Sequence, residues 1–175
     1  ELYRMVYPAP GDSELAGRVA AMIGEAGIPA HVIARRGYDH GTWTSMKLAF
    51  PEADIPIVQV SIDPERDAAY HHALGRALSP LREEGILIVG SGHITHNLRA
   101  VFGVMRAGLA PDPAMAAKVE AFTEWFADAF ARGRVCDIVS WRDRAPFVAE
   151  NHPTDEHLMP LFFAHGAGKL ALDKA

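Results

Sequence analysis

Two short apolar runs constrain this chain most: Ile55-Pro56-Ile57-Val58-Gln59-Val60-Ser61-Ile62 and Ile86-Leu87-Ile88-Val89. Both are rich in β-branched residues and neither alternates cleanly between polar and apolar. That pattern is expected of strands covered on both faces, as in a parallel sheet. A third short strand is expected at His31-Val32-Ile33-Ala34. Helical patterns separate these runs. Strands alternating with helices predict an α/β fold: one domain over residues 1–175, with a largely parallel or mixed central sheet flanked by helices on both faces.

The helical segments are read from apolar spacing and end signals. Ser13 is expected to cap a helix through Ala26, with Leu15, Val19, Met22 and Ile23 on one face and Gly27 as the stop. A second helix is expected from Thr42 to Phe50, and a third from Asp67 to Glu84, bent at Pro80. Met115 to Ala131 carries Val119, Phe122, Phe126 and Phe130 on one stripe, read as core together with Trp125. A shorter helix follows over Val135 to Trp141. A last one is expected to open at Pro153-Thr154-Asp155-Glu156-His157, with Thr154 as cap, and to run toward Ala167. Pro160 sits inside that last segment and is expected to kink it.

Composition narrows the function classes. The net charge of −5 and the lack of Lys/Arg runs longer than pairs argue against a nucleic-acid partner. No stretch of 18 apolar residues exists, so no membrane span is expected. Cys136 is the only cysteine, which excludes an internal disulfide and fits a cytoplasmic protein. Nine histidines, several beside Gly, Pro or Asn, point toward metal or acid–base chemistry.

Three histidine segments carry candidate chemistry. In Gly90-Ser91-Gly92-His93-Ile94-Thr95-His96-Asn97, the glycines let the backbone turn and approach a ligand, and His96 can then project over the sheet edge. A neutral imidazole is a good ligand for zinc or ferrous iron, and Asn97 can fix its neighbours. His93 lies three residues earlier and would share that face in a helical stretch. The bland alternative is a tight turn followed by a capping or core histidine. Spacing rules out a dinucleotide fingerprint, which needs a third glycine near Thr95. It also rules out a nucleophile elbow, since Val89 stands where a glycine is required. In Gly37-Tyr38-Asp39-His40-Gly41, His40 is an accessible proton carrier whose basicity Asp39 can modulate, or an exposed loop residue beside a capping Asp. In Asn151-His152-Pro153-Thr154-Asp155-Glu156-His157, Glu156 and His157 are candidate ligands, or the polar first turn of a helix. His71-His72 reads as a solvated helix face, and His31 and His165 as packing or surface residues.

Taken together and in order, these segments resemble the LigB superfamily of extradiol dioxygenases, nearest to the DOPA 4,5-dioxygenase type. The carrying segments are Tyr7-Pro8-Ala9-Pro10-Gly11, residues 37–43, and Pro51-Glu52-Ala53-Asp54 with the run after it. To these are added Gly90-Ser91-Gly92 with Thr95-His96-Asn97-Leu98-Arg99, and His152-Pro153 with Glu156-His157 and Pro160-Leu161. The resemblance implies that His96 and His157 ligate a metal and that His40 is an acid–base residue near the substrate. Asp39, His93, Asn97, His152 and Glu156 are expected around substrate or behind the ligands. The implied metal is Fe(II), with Zn(II) as the alternative occupant, and the implied substrates are a catechol and O2. Two further metal histidines of the family, in His-Gly-Ser-Pro-like and Ser-Ala-His-Trp-like segments, do not occur here. The start at Glu1-Leu2-Tyr3-Arg4 without Met, and the stop near Gly168-Lys169-Leu170-Ala171, read as a domain lacking its N-terminal part and a final strand. A homodimer is the default assembly. Two rivals share the pattern: a non-catalytic binding protein on the same scaffold, like the Memo proteins, and a zinc-dependent hydrolase.

Overall fold

A computed structural model describes residues 5–110 and 112–168. The two segments read as the ends of a truncated domain, residues 1–4 and 169–171, lie outside the described residues. Among the described residues nine α-helices run in chain order: α1 Ser13–Glu25, α2 His40–Ala49, α3 Ala68–Leu78, α4 Leu98–Ala107, α5 Pro113–Ala131, α6 Val135–Val139, α7 Trp141–Arg144, α8 Val148–Asn151 and α9 Met159–Ala167. A 3-10 turn over Ser79–Glu84 continues α3.

The expected central sheet is not formed: among the described residues there is no β-strand. Residues 31–34, 55–62 and 86–89 carry no regular secondary structure. The physical reason lies in their partners. A strand exists only through a ladder of hydrogen bonds to a neighbour, and an apolar β-branched pattern reports burial without supplying that neighbour. Ile57 N–H donates to Pro10 O at 2.9 Å, an isolated bond rather than a ladder. Val60, Ile86 and Ile88 pack on a core of Val19, Ile23, Ile28, Leu74, Leu78 and Leu81 from α1 and the loop after it, α3 and the 3-10 turn. Segments 55–62 and 86–89 also line a cavity of about 1400 Å³.

The helices form where their end signals are strongest, often one or two residues from the expected start. Asp12, rather than Ser13, caps α1 by accepting from Leu15 N–H. Asp39 caps α2, so the helix begins at His40. Asp67 caps α3 and Asp112 caps α5. In each case a carboxylate satisfies an orphan N–H at the positive end of the helix. The last helix starts at Met159, with Pro160 in its first turn, where no intrahelical N–H is required. Pro160 therefore starts α9 and does not kink it. The segment expected as one helix over Val135 to Trp141 divides into α6 and α7 at Ser140.

A second core joins Phe122, Phe126, Ile138, Trp141, Leu158, Met159 and Phe162 from α5, α6, α7 and the start of α9. Helices α3 and α9 cross closely because both meet at glycine. A Cβ on Gly75 would lie 1.9 Å from Phe163 O, and one on Gly166 would lie 2.0 Å from His72 O. His71 and His72, expected on a solvated face, are 0% and 4% exposed at this crossing. His71 tolerates burial because Asp63 N–H donates to its Nε2 at 3.1 Å and its Nδ1 lies 2.7 Å from Asp67 O.

Candidate metal centre

The loop from Gly90 to Asn97 is pressed against the segment that leads into α9. A Cβ on Gly90 would fall 2.1 Å from Pro160 O, and one on Gly92 would fall 2.4 Å from His157 O. Neither glycine is in the left-handed region, so they serve space rather than conformation. Hydrogen bonds hold the contact. His93 N–H donates to His157 O at 2.8 Å and His96 N–H to Asn151 O at 2.8 Å. Asn97 caps α4 by accepting from Ala100 N–H, while its Nδ2 donates to Glu150 O at 2.8 Å. Ser91 Oγ donates to Gly41 O at 2.6 Å and lies 3.1 Å from Ser45 Oγ, which ties the same loop to α2.

These bonds bring His96 and His157 together. Their rings stack 3.4 Å apart at 13°. Glu156 joins them, and one ligand atom from each of His96, Glu156 and His157 falls within 4.8 Å of the other two. All three residues are half-buried. Glu156 Oε1 lies 3.1 Å from His157 Nδ1 and accepts from Thr154 Oγ1 at 2.9 Å. The carboxylate thus fixes the Nδ1–H tautomer of His157 and frees Nε2 as a ligand atom. The His93 ring is further off, 5.8 Å from His96 and 6.3 Å from His157, and His93 is exposed.

Electrostatics suits a cation. Burial lowers the His96 pKa, and the neighbouring His157 and His93 lower it further, which keeps the ring neutral and available as a donor. Burial alone would raise Glu156, but its own backbone N–H, Thr154 and His157 together hold it below the usual carboxylate range. Two imidazoles and one carboxylate form a donor set suited to ferrous iron or zinc. The residues present fit such an ion.

The remaining expected residues fall at different distances. His40, the first residue of α2, is exposed and lines the same cavity as His93, His96, Glu156 and His157. Its ring meets Trp43 edge-on at 5.8 Å. Asp39 uses its carboxylate on Thr42 N–H, and its own N–H donates to Gln59 Oε1. Asn97 acts as cap and strut. His152 is completely buried behind the loop. Sequence reasoning missed the ties made by Ser91, Ser45 and Asn151. The last is 1% exposed, with Nδ2 donating to Phe147 O at 2.9 Å. Single polar residues of this kind give no pattern from which such struts could be read.

A half-buried His/Glu/His group at the wall of a large cavity defines a candidate metalloprotein site. The whole chain sets the class more narrowly. Residues 1–174 match the family described as the catalytic LigB subunit of aromatic ring-opening dioxygenase, and the chain belongs to that family. It is 38% identical over 95% of its length to a protein of Beta vulgaris named 4,5-DOPA dioxygenase extradiol. It is also 38% identical over 95% of its length to the Escherichia coli K12 protein of that name. The chain spans 60% and 59% of those two relatives. A crystal structure of an uncharacterized E. coli K12 protein superposes with a TM-score of 0.74 at 36% identity, covering 95% of this chain and 66% of the other.

Proposed function

We propose that this chain serves a non-haem, metal-dependent extradiol dioxygenase, which opens the ring of a catechol with O2. The observation that carries the reading is the convergence of His96, Glu156 and His157 on a cavity that also presents His40. Relatives named for 4,5-DOPA support DOPA as the first catechol to try.

His96 and the Nε2 of His157 would hold the metal, and Glu156 would orient His157 through Nδ1 or complete the ligand set. A bound Fe(II) would supply the redox chemistry for activating O2 beside the diol. His40 moves protons: a ring nitrogen accepts the proton of a catechol hydroxyl, so that the substrate meets the cation as an anion. The apolar wall of Val58, Val60, Ile86 and Ile88 keeps the aromatic ring away from bulk water. The family resemblance favours Fe(II) over Zn(II), and the single cysteine supports a cytoplasmic setting.

The test is anaerobic loading of the full chain with Fe(II), followed by O2 uptake and the coloured semialdehyde product with DOPA and a panel of catechols. O2 uptake coupled to product formation supports the reading. Verified iron with no uptake on any catechol overturns it, and stoichiometric zinc with hydrolytic activity would replace it.

A further inference from the structure

We infer that His152 is a positioning residue for the metal centre, holding the loop that carries His96 in register with the segment that carries His157. The inference rests on the metal reading above and extends it to a side chain that touches neither metal nor substrate.

His152 is 0% exposed, with its ring 5.8 Å from Phe122 and 5.7 Å, edge-on, from Trp141. A histidine in so apolar a wall needs a reason, because an aromatic side chain would fill the space without polar atoms to satisfy. The reason is visible at Nε2, the nitrogen with the shorter contact. Nε2 lies 2.9 Å from Ile94 O, and Nδ1 lies 3.3 Å from Thr154 O. Ile94 stands between His93 and His96 in the loop, and Thr154 leads directly to Glu156 and His157. His152 is itself part of the segment that leads to Glu156 and His157, so its Nε2–H ties that arm of the site to the other at Ile94.

A neutral imidazole has a single N–H, and the shorter contact assigns it to Nε2, donating to Ile94 O. Without that proton the Ile94 carbonyl would face the buried ring with no donor opposite it. The neighbouring bonds act in the same direction. Asn97 Nδ2 donates to Glu150 O and His96 N–H donates to Asn151 O, so three consecutive residues, 150 to 152, grip the loop. Backbone bonds alone leave residue 94 free to rotate its peptide, and the His152 side chain removes that freedom. Arg142 stabilises the turn from below by pairing with Asp155 and donating to His152 O at 3.4 Å.

The experiment compares the full wild-type chain with His152→Phe, which fills the aromatic wall but cannot donate, and His152→Gln, whose amide can donate to Ile94 O. Co(II) titration followed by its ligand-field absorption reads the metal site. Amide hydrogen exchange at His96 in the metal-free protein reads the loop, and circular dichroism with thermal melting reads the fold. The expected result is a folded His152→Phe protein with Co(II) affinity lowered about 10–100-fold and an altered spectrum. Its His96 amide should exchange about tenfold faster without metal. His152→Gln should recover most of the affinity and the wild-type spectrum. Unchanged affinity and unchanged His96 exchange in folded His152→Phe would overturn the inference while leaving the metal site standing. Absence of Co(II) absorption in the wild type would overturn the metal reading, and this inference with it. Should His152→Phe not fold, His152→Gln is compared with His152→Asn, whose amide is too short to reach Ile94. Tighter binding by Gln supports the inference and equal binding overturns it.

Discussion

Gly92 lies against His157 so closely that a single added carbon would sit 2.4 Å from the His157 carbonyl oxygen. The Gly-Ser-Gly turn is therefore a fitted contact between the two segments of the site, not merely a bend after an apolar run. Since a real Cβ does not tolerate that distance from backbone, one of the two segments must move when Gly92 acquires a side chain.

Gly92→Ala should separate His96 from His157. The expected outcome is a loss of about 1–3 kcal/mol in unfolding free energy, together with metal affinity at least about tenfold weaker. Urea unfolding and Co(II) titration check it. The contrasting change Gly24→Ala, where a Cβ meets nothing within 4 Å, should leave metal binding unaltered. Equal effects of the two substitutions would count against the fitted contact.

Glu156→Gln keeps the shape of the side chain and removes the charge that faces His157 Nδ1 at 3.1 Å. Metal affinity should fall about 10–100-fold. The amide can present its N–H2 to Nδ1, which favours the wrong imidazole tautomer. Stability of the metal-free protein should change little, because the carboxylate is half-exposed. Calorimetric titration with Zn(II) gives the comparison, and wild-type affinity in the variant would show that Glu156 neither ligates nor orients.

How much of this could be read in the sequence differs between fold and site. Helix positions are legible in part because some signals are local: Gly27 after α1, Asp67 before α3, and an apolar stripe through Phe122 and Phe126 in α5, whereas α4 and α8 match no expected helix. The sheet was misread because Ile57, Val60, Ile86 and Ile88 show only that their side chains are to be covered. Whether their backbones find a ladder is decided by distant chain, which no local pattern encodes. His96, Glu156 and His157 were legible as types in motifs, yet their convergence needed Gly92, Asn151 and Pro160 in place. Of these, Pro160 points the wrong way: inside an apolar helical pattern it predicts a kink, whereas in the structure it stands in the first turn of α9. Burial of His71 and His72 is hidden for a related reason, since Gly166 lies 94 residues along the chain from His72, whose helix it lets approach.

His40 lines the cavity without belonging to the cluster of donor atoms. Its removal should therefore split chemistry from binding. His40→Ala is expected to lower kcat on a catechol by about 100–10,000-fold, while Co(II) or Zn(II) affinity stays within about twofold of wild type. Steady-state O2 uptake and metal titration on the same preparation decide it. Loss of metal in step with activity would move His40 from proton carrier to ligand.

The α3–α9 crossing carries its own acid sensitivity, remote from the metal ligands. His72 and His165 face each other there at 5.2 Å, with Phe130 against His165 at 5.1 Å. His72 Nε2 and both nitrogens of His165 have no hydrogen-bond partner among the described residues. Burial pushes His72 down to about 4, with His165 and the Arg76 guanidinium adding to it, and burial lowers His165 as well. In the unfolded chain each ring protonates near its ordinary value of about 6.5. As pH falls below that value the unfolded state takes up protons first, so the folded state loses its advantage. The contribution is complete above pH ~6.5, declines as pH falls toward about 4, and is flat below. For His72 alone the span corresponds to about 3 kcal/mol. Urea unfolding at pH 7.5 and pH 4.5 measures it, with His72→Gln removing the titrating ring at the same position. The wild type should lose about 2–3 kcal/mol more than the variant between the two pH values, and parallel losses would place the acid sensitivity elsewhere.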